Sequence, residues 1–125
     1  MTEGVQMVIV YSSMTGNVKR FVNKVNLPSV QIQDGLKVEE PFVLITYTTG
    51  FGSIPDNVER FLENNSHHLK AVSASGNRNW GNNFAISADK IANQYKVPVI
   101  SKFELAGTNR DVINFLEGVE KLEAY

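Results

Sequence analysis

Three short segments carry residue types able to hold a ligand. Ser12-Ser13-Met14-Thr15-Gly16-Asn17 offers hydroxyls, an amide and consecutive backbone N–H groups. Between an apolar strand and the positive end of a helix, such a loop converges on one point that suits a phosphate. No Lys or Arg lies inside it, so neutral donors would hold the anion, each bond contributing about 1.5–3 kcal/mol. It reads equally as an ordinary strand-to-helix turn with a cap, and it is not a Walker loop, because no Gly-Lys-Ser/Thr follows. The second segment, Thr48-Thr49-Gly50-Phe51-Gly52-Ser53, sets two glycines around Phe51. Glycine permits positive φ and close approach of backbone to a flat ligand. It is no dinucleotide fingerprint, since Pro55 stands where the third glycine would be, and a plain turn before a helix is its other reading. The third, Ser75-Gly76-Asn77-Arg78-Asn79-Trp80-Gly81-Asn82-Asn83, holds the only tryptophan. A loop tryptophan is a lid over a small core or a stacking surface for a planar ligand; two neighbouring glycine loops favour stacking.

Other chemistries are poorly provided for. The chain has no cysteine, which removes disulfides, thiolate nucleophiles and Cys-based metal sites. His67-His68 project differently and lack an acidic cluster, so they read as a solvated helix end, with no metal expected. Lys19, Arg20 and Lys24 read as the outer face of a helix. No Ser-His-Asp set or carboxylate pair stands out in the loops. Redox chemistry would have to come from a bound cofactor or a partner.

The elements that position these loops alternate. Val5 to Tyr11 and Phe42 to Tyr47 read as buried strands, short and nearly all apolar. Val30-Gln31-Ile32 reads as a short edge strand, Leu69 to Ser75 as a weaker strand and Pro98 to Leu105 as the last. Helices are predicted over Asn17–Asn26, stopped by Leu27-Pro28, and from Pro55 with Val58, Phe61 and Leu62 inward. A third runs from Asn83 to Tyr95, with Phe84, Ala88, Ile91, Ala92 and Tyr95 inward. The last follows a Thr108/Asp111 cap, with Val112, Phe115, Leu116, Val119 and Leu122 in one stripe. The order β-α-β-β-α-β-α-β-α predicts an α/β protein, a parallel sheet with helices on both faces. The Gln33–Pro41 link is too short for a helical crossover. All three loops then fall at the carboxyl edge of the sheet, where open α/β sheets bind ligands.

Composition sets further bounds. The 125 residues fit one domain, 1–125, with 42% hydrophobic and 20% charged residues and a net charge of −1. No basic excess points to nucleic acid or an anionic membrane. No apolar run nears the roughly 18 residues of a membrane span. The N-terminus lacks a basic n-region, so no secretory leader is expected and a cytoplasmic location is.

Ser13 to Val18, Thr46 to Gly52 and Ser73 to Gly81, together with Ser101-Lys102-Phe103-Glu104-Leu105-Ala106-Gly107-Thr108, resemble the NrdI family, flavodoxin-like accessory proteins of class Ib ribonucleotide reductase. The first loop alone is similar to many flavodoxins; Gly76-Asn77-Arg78-Asn79-Trp80-Gly81 and Phe103 to Thr108 are more specific. The resemblance implies a five-stranded parallel sheet in the order 2-1-3-4-5 and an FMN cofactor. It implies that Ser13, Met14, Thr15, Gly16, Asn17 and Val18 hold the phosphate. Thr48, Thr49, Gly50, Phe51 and Gly52 would lie along the reactive edge of the isoalloxazine. Ser75, Gly76, Asn77, Asn79 and Trp80 would hold its pyrimidine end, with Trp80 packing against the ring. Ser12, Tyr47, Gly81 and Phe84 complete the implied cofactor set. The implied function is reduction of dioxygen by reduced FMN, with the superoxide or peroxide delivered to the dimanganese centre of the radical subunit, NrdF. A flavin reductase would reload the cofactor. The Gly50-Phe51 peptide is expected to rearrange on reduction. Partner docking is expected around the flavin edge, with Arg78 and Lys102 near it. Alternatives are a general flavodoxin-type electron carrier and a cofactor-free interaction module. A phosphoacceptor signalling domain fails, because Tyr47-Thr48 and Ser12-Ser13 stand where it needs acidic residues.

Overall fold

The computed structural model describes residues 7–49 and 52–123. Two apolar runs form the middle of its sheet: β1 (Val8–Tyr11) pairs in parallel with β3 (Phe42–Tyr47), from Val8 against Phe42 to Tyr11 against Ile45. β2 (Ser29–Gln31), β4 (Leu69–Gly76) and β5 (Val99–Glu104) complete a five-stranded sheet in the order 2-1-3-4-5, every pair parallel. This is the predicted order. Phe42, Val43, Leu44 and Ile45 are wholly buried, because a central parallel strand is covered on both faces.

Alternate residues of each strand point to opposite faces, and two separate cores result. On one face Ile9, Val43, Ile45 and Ala71 meet α1 (Asn17–Val25) and α4 (Asn109–Glu123) through Phe21, Val22, Phe115 and Val119. Phe21 stacks on Phe103 of β5, ring centres 3.8 Å apart. On the other face Val10, Leu44, Val72 and Ala74 meet α2 (Asp56–Asn65) and α3 (Ile86–Tyr95) through Val58, Leu62, Ala88 and Ile91. Thr108 and Asp111 form the expected reciprocal cap of α4, with Thr108 N–H donating to Asp111 Oδ2 (2.8 Å) and Asp111 N–H donating to Thr108 Oγ1 (3.2 Å).

β2 lies one residue earlier than read, and β1, β4 and α3 differ in ways that bear on the site. β1 starts at Val8; Val5 and Gln6 lie outside the described residues. β4, read as a weaker strand over Leu69 to Ser75, is eight residues long. Its buried Ser73 bonds Ser101 of β5 (Oγ to Oγ, 3.1 Å), and Ser75 Oγ donates to Leu105 O (2.6 Å). Small residues suit a strand overlaid closely on both faces. α3 begins at Ile86 rather than Asn83, which ends a 3-10 segment, Arg78–Asn83. Ala85 intervenes with φ 49°, so no continuous α-helix can pass through it.

No helix spans the β2–β3 link among the described residues, as its length predicts. A side chain replaces the missing element. Asn65, buried in the last turn of α2, accepts from Val38 N–H at Oδ1 (2.8 Å) and donates from Nδ2 to Leu36 O (3.3 Å) and Phe61 O (2.8 Å). Asn65→Ala strands the buried Val38 N–H and should lower stability by about 2 kcal/mol, read as an earlier urea midpoint at unchanged slope. Tyr95, in the last turn of α3, is pushed above its ordinary 10.0 by burial and then by the Glu63 and Glu59 carboxylates. The folded chain therefore holds that proton more tightly than the unfolded one. The associated stability is complete below pH 10.0 and is lost as pH rises through the shifted value. Tyr95→Phe should flatten this alkaline loss in denaturant midpoints measured across pH.

Candidate functional site

The carboxyl edge of the sheet carries a cleft of about 180 Å³ between the ends of β1, β3 and β4. Its first wall is the loop from β1 to α1, through Ser13, Met14, Thr15, Asn17 and Val18. Gly16 is the N-cap of α1, at φ 92°, and has no side chain to cap with. The helical ladder begins with Arg20 N–H donating to Gly16 O (2.9 Å), and Lys19 N–H turns to Ser13 Oγ (3.2 Å). Asn17 and Val18 precede that ladder, where a helix supplies their N–H groups with no acceptor of its own. Neutral donors and the positive end of the helix dipole thus gather at the cleft, and the Arg20 guanidinium stands beside them, donating to Asn17 Oδ1 (2.7 Å).

The second wall comes from β3 and the turn after it, through Tyr47, Thr48 and Gly52. Thr49 N–H donates to Ser53 O (2.9 Å) and Ser53 N–H to Thr49 O (2.7 Å), closing a tight turn. Gly50 and Phe51, expected beside a flavin's reactive edge, lie outside the described residues. The third wall is Ser75, Gly76, Asn77 and Trp80. Asn77 caps the 3-10 segment by accepting Asn79 N–H at its side chain (2.9 Å), and Trp80 is 47% exposed at the mouth. Gly76 is required there by space: a Cβ would stand 2.6 Å from Ala85 N.

Six of the implied residues are not on the cleft wall. Ser12 is buried, and its Oγ accepts instead from Asn57 Nδ2 of α2 (2.9 Å). Gly16 faces the Arg20 guanidinium, and Thr49 Oγ1 donates to Ser53 O (3.2 Å) in its own turn. Asn79 serves the Asn77 cap, Gly81 forms the exposed kink of the 3-10 segment, and Phe84 sits under the Arg78 guanidinium, 4.6 Å from its ring centre. Three wall residues were missed: Asn83, Ala85 and Leu105. Leu105 is 51% exposed with φ 54°, a conformation that no sequence rule assigns to leucine. Lys24, on the exposed face of α1 as expected, donates to Gly107 O (2.9 Å) and Ala106 O (3.3 Å). Arg78 pairs with Glu104 (3.7 Å) and Lys102 with Asp89. His67 and His68 lie in a 3-10 turn after α2, their ring centres 4.1 Å apart. Among the described residues no cluster of three or more His, Cys, Asp or Glu could hold a metal, and no helix is long and apolar enough to cross a membrane.

A 2-1-3-4-5 parallel sheet with a hydroxyl loop and an aromatic wall at its carboxyl edge defines a flavodoxin-like protein. Oxidised Flavodoxin 1 from Bacillus cereus superposes with a TM-score of 0.68 at 18% identity, covering 96% of this chain and 98% of that one. Flavodoxin 2 from the same organism gives 0.69 at 19%, covering 94% and 97%. The chain belongs to the NrdI flavodoxin-like family, whose pattern matches residues 9–117. It is 56% identical over 117 residues to Protein NrdI of Bacillus licheniformis, covering 91% of this chain and 88% of that one. Against Protein NrdI of Macrococcus caseolyticus it is 48% identical over 120 residues, covering 95% and 93%.

Family and fold together imply FMN as the cofactor. The donor set fits such a group: hydroxyls and uncapped N–H groups for a phosphate, and the apolar side chains of Met14, Tyr47, Trp80 and Leu105 on its walls for a flat ring. Gly76→Ala should overpack the Ala85 backbone by about 1–3 kcal/mol. Fluorescence titration should then show FMN binding weakened by about tenfold, with a lower Tm.

Proposed function

We propose that this chain is the flavodoxin-type redox accessory protein of a class Ib ribonucleotide reductase, supplying oxidant to the dimanganese centre of NrdF so that its tyrosyl radical can form. A cytoplasmic setting goes with that work. Bound FMN would supply the electrons that reduce dioxygen to superoxide or peroxide, and a flavin reductase would restore them. The protein's own part is to bind, orient and expose. Ser13 and Thr15 hydroxyls with the N–H groups of Asn17 and Val18 would anchor the phosphate. Tyr47, Thr48 and Gly52 would flank the ring on one side, and Ser75, Asn77 and Trp80 on the other.

The observation that carries this reading is the rim of the cleft. Met14, Trp80 and Leu105 are 70%, 47% and 51% exposed, and all three border the opening. Large apolar residues gathered at one mouth would offer a face first to the flat ring and then, around it, to a partner protein. An open mouth also admits dioxygen. Arg78 and Lys102 are matched by carboxylates of this chain and the net charge is −1, so docking would rest on the apolar rim more than on charge.

The test mixes the reduced, FMN-loaded protein and dioxygen with manganese-loaded NrdF and measures tyrosyl radical. Radical yield should exceed that obtained with free superoxide. Equal yields would leave a general electron carrier, and a colourless protein that takes up no flavin would leave an interaction module.

A further inference from the structure

Ser87 touches no wall of the cleft, yet it is tied to two residues that do. It is the second residue of α3 and is wholly buried. Its Oγ donates to Tyr47 O (3.0 Å) and accepts from Thr48 Oγ1 (2.9 Å), while its N–H donates to Thr48 Oγ1 (3.2 Å). Nothing in the helix calls for a hydroxyl here. Ala is the better helix former, and the neighbouring Ala88 and Ala85 are buried without one. Ala85, at the N-cap position, has no side-chain oxygen to offer the first turn; Thr48 Oγ1, from another element, accepts from Ser87 N–H instead.

Two further contacts join the same turn of α3 to the far side of the same loop. Lys90 Nζ donates to Gly52 O. Gly52 lies so close to Ile86 that a Cβ would stand 2.9 Å from Ile86 Cγ2. The chain that leaves β3 is therefore gripped at Tyr47 and Thr48 before its turn and at Gly52 after it. Both grips come from one rigid helical turn.

We propose that Ser87 is a positioning residue of the cofactor cleft, with Lys90 as its counterpart: the first turn of α3 fixes where Tyr47, Thr48 and Gly52 stand against the isoalloxazine, and so sets how differently the cleft holds oxidised and reduced flavin. This rests on the FMN reading given above. Two variants test it. Ser87→Ala removes both Oγ bonds. Lys90→Met keeps the aliphatic stem on an exposed residue and removes only the donor to Gly52 O. Each is loaded with FMN; the dissociation constant is measured by fluorescence, the midpoint potential by stepwise reduction, and the Tm on the flavin-free chain. Binding of oxidised FMN should weaken about fivefold in Ser87→Ala, the effect of one net hydrogen bond. The midpoint potential should move in both variants, with the Tm of Lys90→Met unchanged. A lower Tm with unaltered affinity and potential in Ser87→Ala would make Ser87 merely structural and overturn the proposal. If Ser87→Ala does not fold, Lys90→Met decides alone, and an unmoved potential there overturns it. Wild-type protein that binds no FMN would instead sink the functional reading; wild-type binding beside unshifted variants sinks only this one.

Discussion

A parallel sheet cannot leave a face open, and the rest of this molecule follows from that constraint. With β1, β3 and β4 buried on both sides, each connection must return across a face, and helices must cover both. The strand ends then gather at one edge, and the loops there carry no packing duty of their own. They are free to hold polar groups that a core would exclude. Phe42 to Ile45 supply the burial; Ser13, Asn17, Thr48 and Asn77 spend the freedom it creates.

Where the β2–β3 helix is absent, the same constraint is met by other means. Ile32 and Val38 reach the core from an irregular segment, and Asn65 satisfies the backbone that a helix would have satisfied for itself. An asparagine in the final turn of α2 thus does the work of a secondary-structure element. The arrangement is economical in length, and it makes the crossover depend on one side chain in α2.

How much was legible in the sequence depended on how local the cause was. β3 is a continuous apolar run, α1 shows its stripe of Val18, Phe21, Val22 and Val25, and α4 declares itself through Thr108 and Asp111. All three were readable because their causes lie within a few residues. The start of α3 was not, because Ala85 takes a left-handed conformation against the backbone of Gly76, nine positions earlier. β4 was undervalued because Ser73 and Ser75 read as polar until their partners on β5 and beyond are known. At the site, the three loops were visible as compositions, but the direction of single side chains was not. Ser12 turns to Asn57 through a contact 45 residues away in sequence. Ser87, placed in the middle of a predicted helix, gave no sign of its bonds to Tyr47 and Thr48.

Leu105 shows the cost of that division of labour. A bulky residue at φ 54° carries backbone strain of about 1–2 kcal/mol, and with half its surface in solvent it recovers little of this by burial. It is held there by its N–H on Gly76 O (3.1 Å) and by Ser75 Oγ on its carbonyl. Nothing in the core asks for a leucine here, and under the FMN reading proposed above this strained residue shapes the mouth of the cleft. A search of sequence space for maximum thermostability would replace this leucine early, with glycine as the obvious choice, and would score the change as an improvement. Selection by melting temperature alone would therefore erode the mouth of the cleft while leaving the fold intact.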